Sequence, residues 1–212
     1  HFEGQLQASM FGRPAVIKSF SSDEWLNIEV DGQIDAAQVL ALTAVDAPNV
    51  VKGETAFSSR LNLAMAGDVS NLVVLTDLVG MGVNLPAEFG KTLSAKDESE
   101  FVLKFLSKGP RLDWKYKTTQ GWLMLPPKNA NLPIVDDIIA SVGISVAAPT
   151  LNSEHQKRRG VKVTGQMPFL DVEDWTSEDG QAVVDLPFDW HLVDLKIDDL
   201  AITEFNIANV EL

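Results

Sequence analysis

The chain has no cysteine in its 212 residues. A disulfide scaffold, a zinc–thiolate centre and a cysteine nucleophile are therefore excluded. The absence fits an oxidising compartment such as the periplasm, although cytosolic chains can lack cysteine too. Basic residues are also scarce: 17 Lys and Arg stand against 30 Asp and Glu, a net charge of −13. That balance argues against nucleic acid as a partner, because phosphate binding needs clustered Lys and Arg. It argues equally against broad adhesion to anionic lipid headgroups. No apolar run approaches the ~20 residues of a membrane span, and no signal peptide is visible. The chain starts at His1 without a Met and stops at "FNIANVEL", which reads as the middle of a strand. It is expected to be a piece of something longer, with any such elements outside it.

Catalytic signals are equally thin. The three histidines are His1 at the terminus, His155 in the polar stretch "NSEHQKRRG", and His191 in an apparent strand. None has a serine at a nucleophile elbow or a metal-ligand partner four residues on. Asp171, Glu173, Asp174, Glu178 and Asp179 cluster, but their spacing does not match a calcium loop and reads as a solvated face. The basic run Lys157, Arg158, Arg159 reads as a solvated turn. Five tryptophans would permit glycan stacking, yet nothing places two carboxylates at a hydrolase's separation. Neither an enzymatic activity nor a cofactor is expected.

Helical periodicity is scarce as well. "IDAAQVLAL" offers Asp35 as an N-cap before good helix formers, and "LDVEDWTSEDG" offers Asp171 with Gly180 as a stop. "PIVDDIIASVG" reads either as a short helix from Pro133 to Ser141 or as a strand pair.

What is abundant is period-two alternation. It places Leu61, Leu63 and Met65 on one face, then Phe101, Leu103 and Phe105, then Leu112, Trp114 and Tyr116. Further strands are expected at "FEGQLQASMF", "PAVIKSF", "EWLNIEVDG", "NLVVLTDL", "GWLMLP", "VGISVAAP", "RGVKVTGQ", "WHLVDLKI" and "LAITEFNIANVEL". Hydrophobic content of 45% with 22% charged residues is that of a folded chain. The expected fold is mostly β: an extended, bent antiparallel sheet, a groove or half-pipe, with two or three short helices. It would divide into a first β module, 1–130, and a second, 131–212, continuing the same sheet. "LNIEVDGQIDAAQVL" and "VKVTGQMPFLDVEDW" share a strand, Gly-Gln, a short link, Asp and a helical turn, a weak internal repeat that favours modular architecture. Alternation alone does not distinguish a dry sandwich core from an open apolar trough, since both rest on burial of apolar area.

One stretch stands apart. "LTDLVGMGVNLPAEFGK" begins as a strand and then runs through three glycines and a proline to a single Lys91. Gly80, Gly82, Pro86 and Gly90 are expected to turn the chain or end a sheet edge, with Met81 and Phe89 as apolar plugs.

This stretch resembles the AsmA-like, YhdP-type proteins of the Gram-negative envelope, which show a "SdLxGlxxxLPxPxgK"-like run. Asp77, Leu78, Gly80, Leu85, Pro86, Gly90 and Lys91 match it. The second proline is missing near Glu88, which loosens the turn. "GETAFSSRLNL" and "GVKVTGQMPFLDVEDW" are similar to two further runs of that family, in the same order. The resemblance implies a periplasmic segment of an inner-membrane-anchored, bridge-like lipid transporter. Its hydrophobic β groove would carry phospholipid between inner and outer membranes and maintain the outer-membrane barrier. The partners implied are phospholipid acyl chains and the two membranes. Groove candidates are then Leu61, Leu63, Met65, Phe101, Leu103, Phe105, Leu112, Trp114 and Tyr116. The competing expectation is a closed β-sandwich acting as a non-lipid structural or interaction module of the envelope.

Overall fold

A computed structural model describes residues 3–43, 49–65, 69–86, 89–107, 109–124, 137–142, 160–175, 190–202 and 205–211. The chain is mostly β, and its sheet is not closed. It divides into two compact units, His1–Lys117 and Thr118–Leu212. The division expected at 130/131 falls outside the described residues, as do His1, His155, the basic run 157–159, Glu178 and Asp179, and residues 143–149 of "VGISVAAP".

The first unit contains β1 (Glu3–Met10), β2 (Arg13–Ser21), β3 (Trp25–Asp35), helix α1 (Ala36–Thr43), β4 (Val51–Ala64), β5 (Asn71–Thr76), β6 (Met81–Val83), β7 (Ser99–Leu106) and β8 (Gly109–Tyr116). The strands pair in the order β1-β2-β3-β4-β5-β7-β8, every pair antiparallel, while the short β6 pairs with the start of β4. The β1-β2, β2-β3 and β7-β8 links are short enough for hairpins, whereas α1 lies between β3 and β4 and β6 between β5 and β7. Phe11 and Gly12 make a two-residue turn, both at positive φ (55° and 76°) between the paired Met10 and Arg13. Two such residues give a turn whose twist matches that of the flanking strands. Helix α1 starts where Asp35 was expected to cap it. The Gln38 amide donates to Asp35 Oδ1 at 2.9 Å, and the Asp35 amide donates to Gln38 Oε1 at 3.1 Å. This reciprocal pair satisfies amides that the first helical turn leaves unpaired.

The second unit contains β9 (Thr119–Met124), β10 (Asp137–Val142), β11 (Gly160–Asp171), a 3-10 turn (Glu173–Trp175), β12 (Trp190–Ile202) and β13 (Phe205–Glu211). β9 pairs antiparallel with β10, and β12 with β13. β10·β11 and β11·β12 are parallel, a departure from the expected antiparallel order. Parallel neighbours need long crossovers, and segments 143–159 and 172–189 supply the chain length. The ambiguous "PIVDDIIASVG" yields strand β10 over its described residues. The helix expected after Asp171 is a single 3-10 turn over its described residues, with the Glu173 amide donating to Asp171 Oδ1 at 2.9 Å. Met167 and Ile197 face each other across β11·β12 and are buried, as are Leu200 and Ala201.

Candidate functional site

Strand register in the first unit gathers the expected groove residues onto one face. Antiparallel partners point their side chains to the same side, and residues two apart share a face. One row across the sheet reads Leu6, Ile17, Val30, Ser59, Val74, Phe101, Trp114. The next reads Ser19, Ile28, Leu61, Leu72, Leu103, Leu112. Leu26 and Leu63 pair one step further along, as do Phe105 and Pro110. Tyr116 lies on the same face by alternation in β8. Met65 lies just past the end of β4 and is 66% exposed. Leu61, Leu63, Phe101, Leu103, Phe105, Leu112, Trp114 and Tyr116 thus share a surface.

This surface is not a dry core. In the two long rows only Ser59 is buried, and its hydroxyl donates to the Val30 carbonyl at 3.3 Å. The apolar members are half-buried, Leu6 is exposed, and Phe105 is 44% exposed.

The opposite face is mixed, with the exposed Phe20 and Leu75 standing among ion pairs and amides. Arg60 donates through Nε and Nη2 to Glu29 Oε1 at 2.9 and 2.6 Å. Asp113 takes Lys104 at 3.0 Å and Arg111 at 2.5 Å. Asn62 Nδ2 donates to Asn71 Oδ1 at 2.7 Å. Exposed pairs of this kind each stabilise by about 0–1 kcal/mol, so their main effect is to keep this face in water. An open depression of about 590 Å³ is lined by Asp31, Phe57, Leu75, Asp77, Lys96 and Glu98 among others, a mixture of apolar groups and charges of both signs that singles out no ligand class.

The glycine-rich stretch forms the enclosed part of the unit. β6 pairs with the start of β4, Val51 opposite Val83 and Gly53 opposite Met81, and Val83 bridges to Lys91 on its other side. Gly80 turns the chain at φ 90°, two residues after Leu78 at φ 54°. Backbones approach so closely here that a Cβ on Gly53, itself at φ 89°, would run into the Gly80 carbonyl oxygen. Gly82 lies within β6 rather than in a turn, and its missing side chain leaves room for Leu93. Pro86 supplies the carbonyl that accepts from the Phe89 and Gly90 amides at 3.0 and 3.2 Å. Met81 is buried as expected of a plug, whereas Phe89 is half-buried.

Lys91 holds these pieces together. It is only 8% exposed, and its ammonium donates to the carbonyls of Leu78, Met81 and Thr92 at 2.7, 2.9 and 3.0 Å. Three donors meet three acceptors, which is the full capacity of an ammonium. Burial pushes its pKa below the usual lysine range, against the fields of Asp97 and Asp77, with Lys117 lowering it further. From β8, the Tyr116 hydroxyl donates to the Phe89 carbonyl at 2.9 Å, and Lys117 Nζ to the Gly90 carbonyl at 2.7 Å. Burial, with the charge of Asp97, pushes the Tyr116 pKa up to about 12. Nothing in the sequence pointed to this clasp beyond one lysine closing an apolar, glycine-rich run.

Among the described residues no group of three His, Cys, Asp or Glu side chains converges to hold a metal ion, and no helix is long and apolar enough to cross a membrane. No family model, curated protein or solved structure matches the chain.

Proposed function

We propose that this chain is a periplasmic segment of an inner-membrane-anchored protein that moves phospholipid between the inner and outer membranes, with no catalytic step of its own. The sheet is bent into a groove, and acyl chains lie on its apolar face while headgroups stay in water. The observation that carries this reading is the first unit's asymmetry: two largely apolar rows, each holding one serine and left half-exposed, back onto the face that carries the ion pairs and amides. A contiguous exposed apolar surface of this kind marks a binding site rather than a core. Covering it gains roughly 25 cal/mol for each Å² of apolar area removed from water. The rows carry no ionised side chain, so nothing on them fixes a headgroup, and weak selectivity suits a sliding cargo.

The test is transfer of a fluorescent phospholipid from vesicles to the purified chain. Stoichiometric loading is expected, and Leu103→Asp should abolish it while leaving the circular dichroism spectrum and melting transition in place. Unfolding by Leu103→Asp would instead mean that the position is covered by protein, and the closed-sandwich reading would replace this one.

A further inference from the structure

The apolar face has two unlike ends. At one end, Phe105 and Met65 stand exposed beside the half-buried Leu26 and Leu63. At the other end the rows give way to hydroxyls. Thr55 and Ser99 are buried there, and Thr55 Oγ1 meets Thr76 Oγ1 at 3.2 Å. Tyr116, at the same end of β8, donates to the Phe89 carbonyl. The apolar track therefore runs out against residues 78–83 and 89–93, the part of the chain that Lys91 clasps.

We infer that this clasped segment is an end wall which limits the length of acyl chain the face accepts. The inference rests on the phospholipid reading and adds a selectivity to it. Between wall and open end the apolar run along β3, Leu26 to Val30, covers about 13 Å at ~3.3 Å per residue, and that along β4, Phe57 to Leu63, about 20 Å. One leaflet of a bilayer, half of a ~30 Å hydrocarbon core, is about 15 Å deep. An acyl chain of ordinary membrane length thus fills the track when its terminal methyl abuts the wall. A longer chain leaves methylenes in water beyond Phe105, and each one lowers the partition by roughly fourfold. Lys91 is a positioning residue here: it touches no lipid but fixes the wall through three carbonyls.

The experiment offers the purified chain vesicles holding equal amounts of dilauroyl, dipalmitoyl and dibehenoyl phosphatidylethanolamine, and the loaded lipids are extracted and weighed by mass spectrometry. The wild type should load the dibehenoyl lipid at least about tenfold less than the dipalmitoyl one. Lys91→Met should bring that ratio close to one, and the milder Tyr116→Phe should move it part of the way. If the wild type loads all three alike, the wall is refuted while phospholipid carriage stands. If a folded Lys91→Met keeps the full exclusion, Lys91 does not hold the wall. Should Lys91→Met fail to fold, the wild-type ratio and Tyr116→Phe still decide. No loading of any lipid would overturn the transport reading and this inference together.

Discussion

At the scale of single residues, stability in the first unit concentrates around Lys91. Two of its three accepting carbonyls, those of Leu78 and Met81, belong to a turn in which Leu78 and Gly80 both take positive φ, so no regular ladder satisfies all of them. Lys91→Met keeps the apolar stem and removes the donors, and should destabilise the unit by about 3 kcal/mol, read from denaturant unfolding. Gly53→Ala should cost about 2 kcal/mol or more, because φ 89° and the Gly80 carbonyl both oppose a Cβ. Tyr116 gives a pH signature. Its folded pKa, about 12, lies above its ordinary value of 10.0, so the folded state holds its proton more tightly than the unfolded chain. Its contribution is complete below pH 10 and is lost as pH rises from 10 to 12. Lys91 acts in the opposite sense. Its folded pKa is lowered, so its own contribution grows as pH rises towards 10.5. Melting temperatures of wild type and Tyr116→Phe across that range separate the two, since the variant should lose less stability above pH 10.

At the scale of elements, the strands were legible because a half-covered face writes its alternation into the sequence. β7 and β8 are the cleanest instances: Phe101, Leu103 and Phe105 alternate with Val102 and Lys104, and Leu112, Trp114 and Tyr116 with Asp113 and Lys115. Register adds what alternation cannot, namely that all the strand candidates lie on the same side. Paired substitutions test that sidedness. Leu103→Asp should remove lipid loading, whereas Val102→Asp, one residue away on the opposite face, should leave it within about twofold of wild type. Helix α1 was legible from Asp35, and the Asp-Ala-Ala-Gln spacing also held the reciprocal Gln38 bond. β6 was not legible, because the three residues Met81, Gly82 and Val83 are too few to carry a period, and its pairing depends on Gly53, distant in sequence. The parallel pairs β10·β11 and β11·β12 escaped for another reason: strand direction is set by crossover length and not by the pattern within a strand.

At the scale of the whole molecule, a net charge of −13 opposes adsorption to anionic surfaces. Under the proposed function a lipid cargo would be held by apolar contact, on the largely apolar face of the first unit's sheet. The most direct test is native mass spectrometry of the chain purified without detergent, followed by organic extraction and lipid analysis. The account predicts a population carrying phospholipid in stoichiometric amount, lost on Leu103→Asp. A lipid-free, monodisperse monomer that also refuses added phospholipid would contradict it.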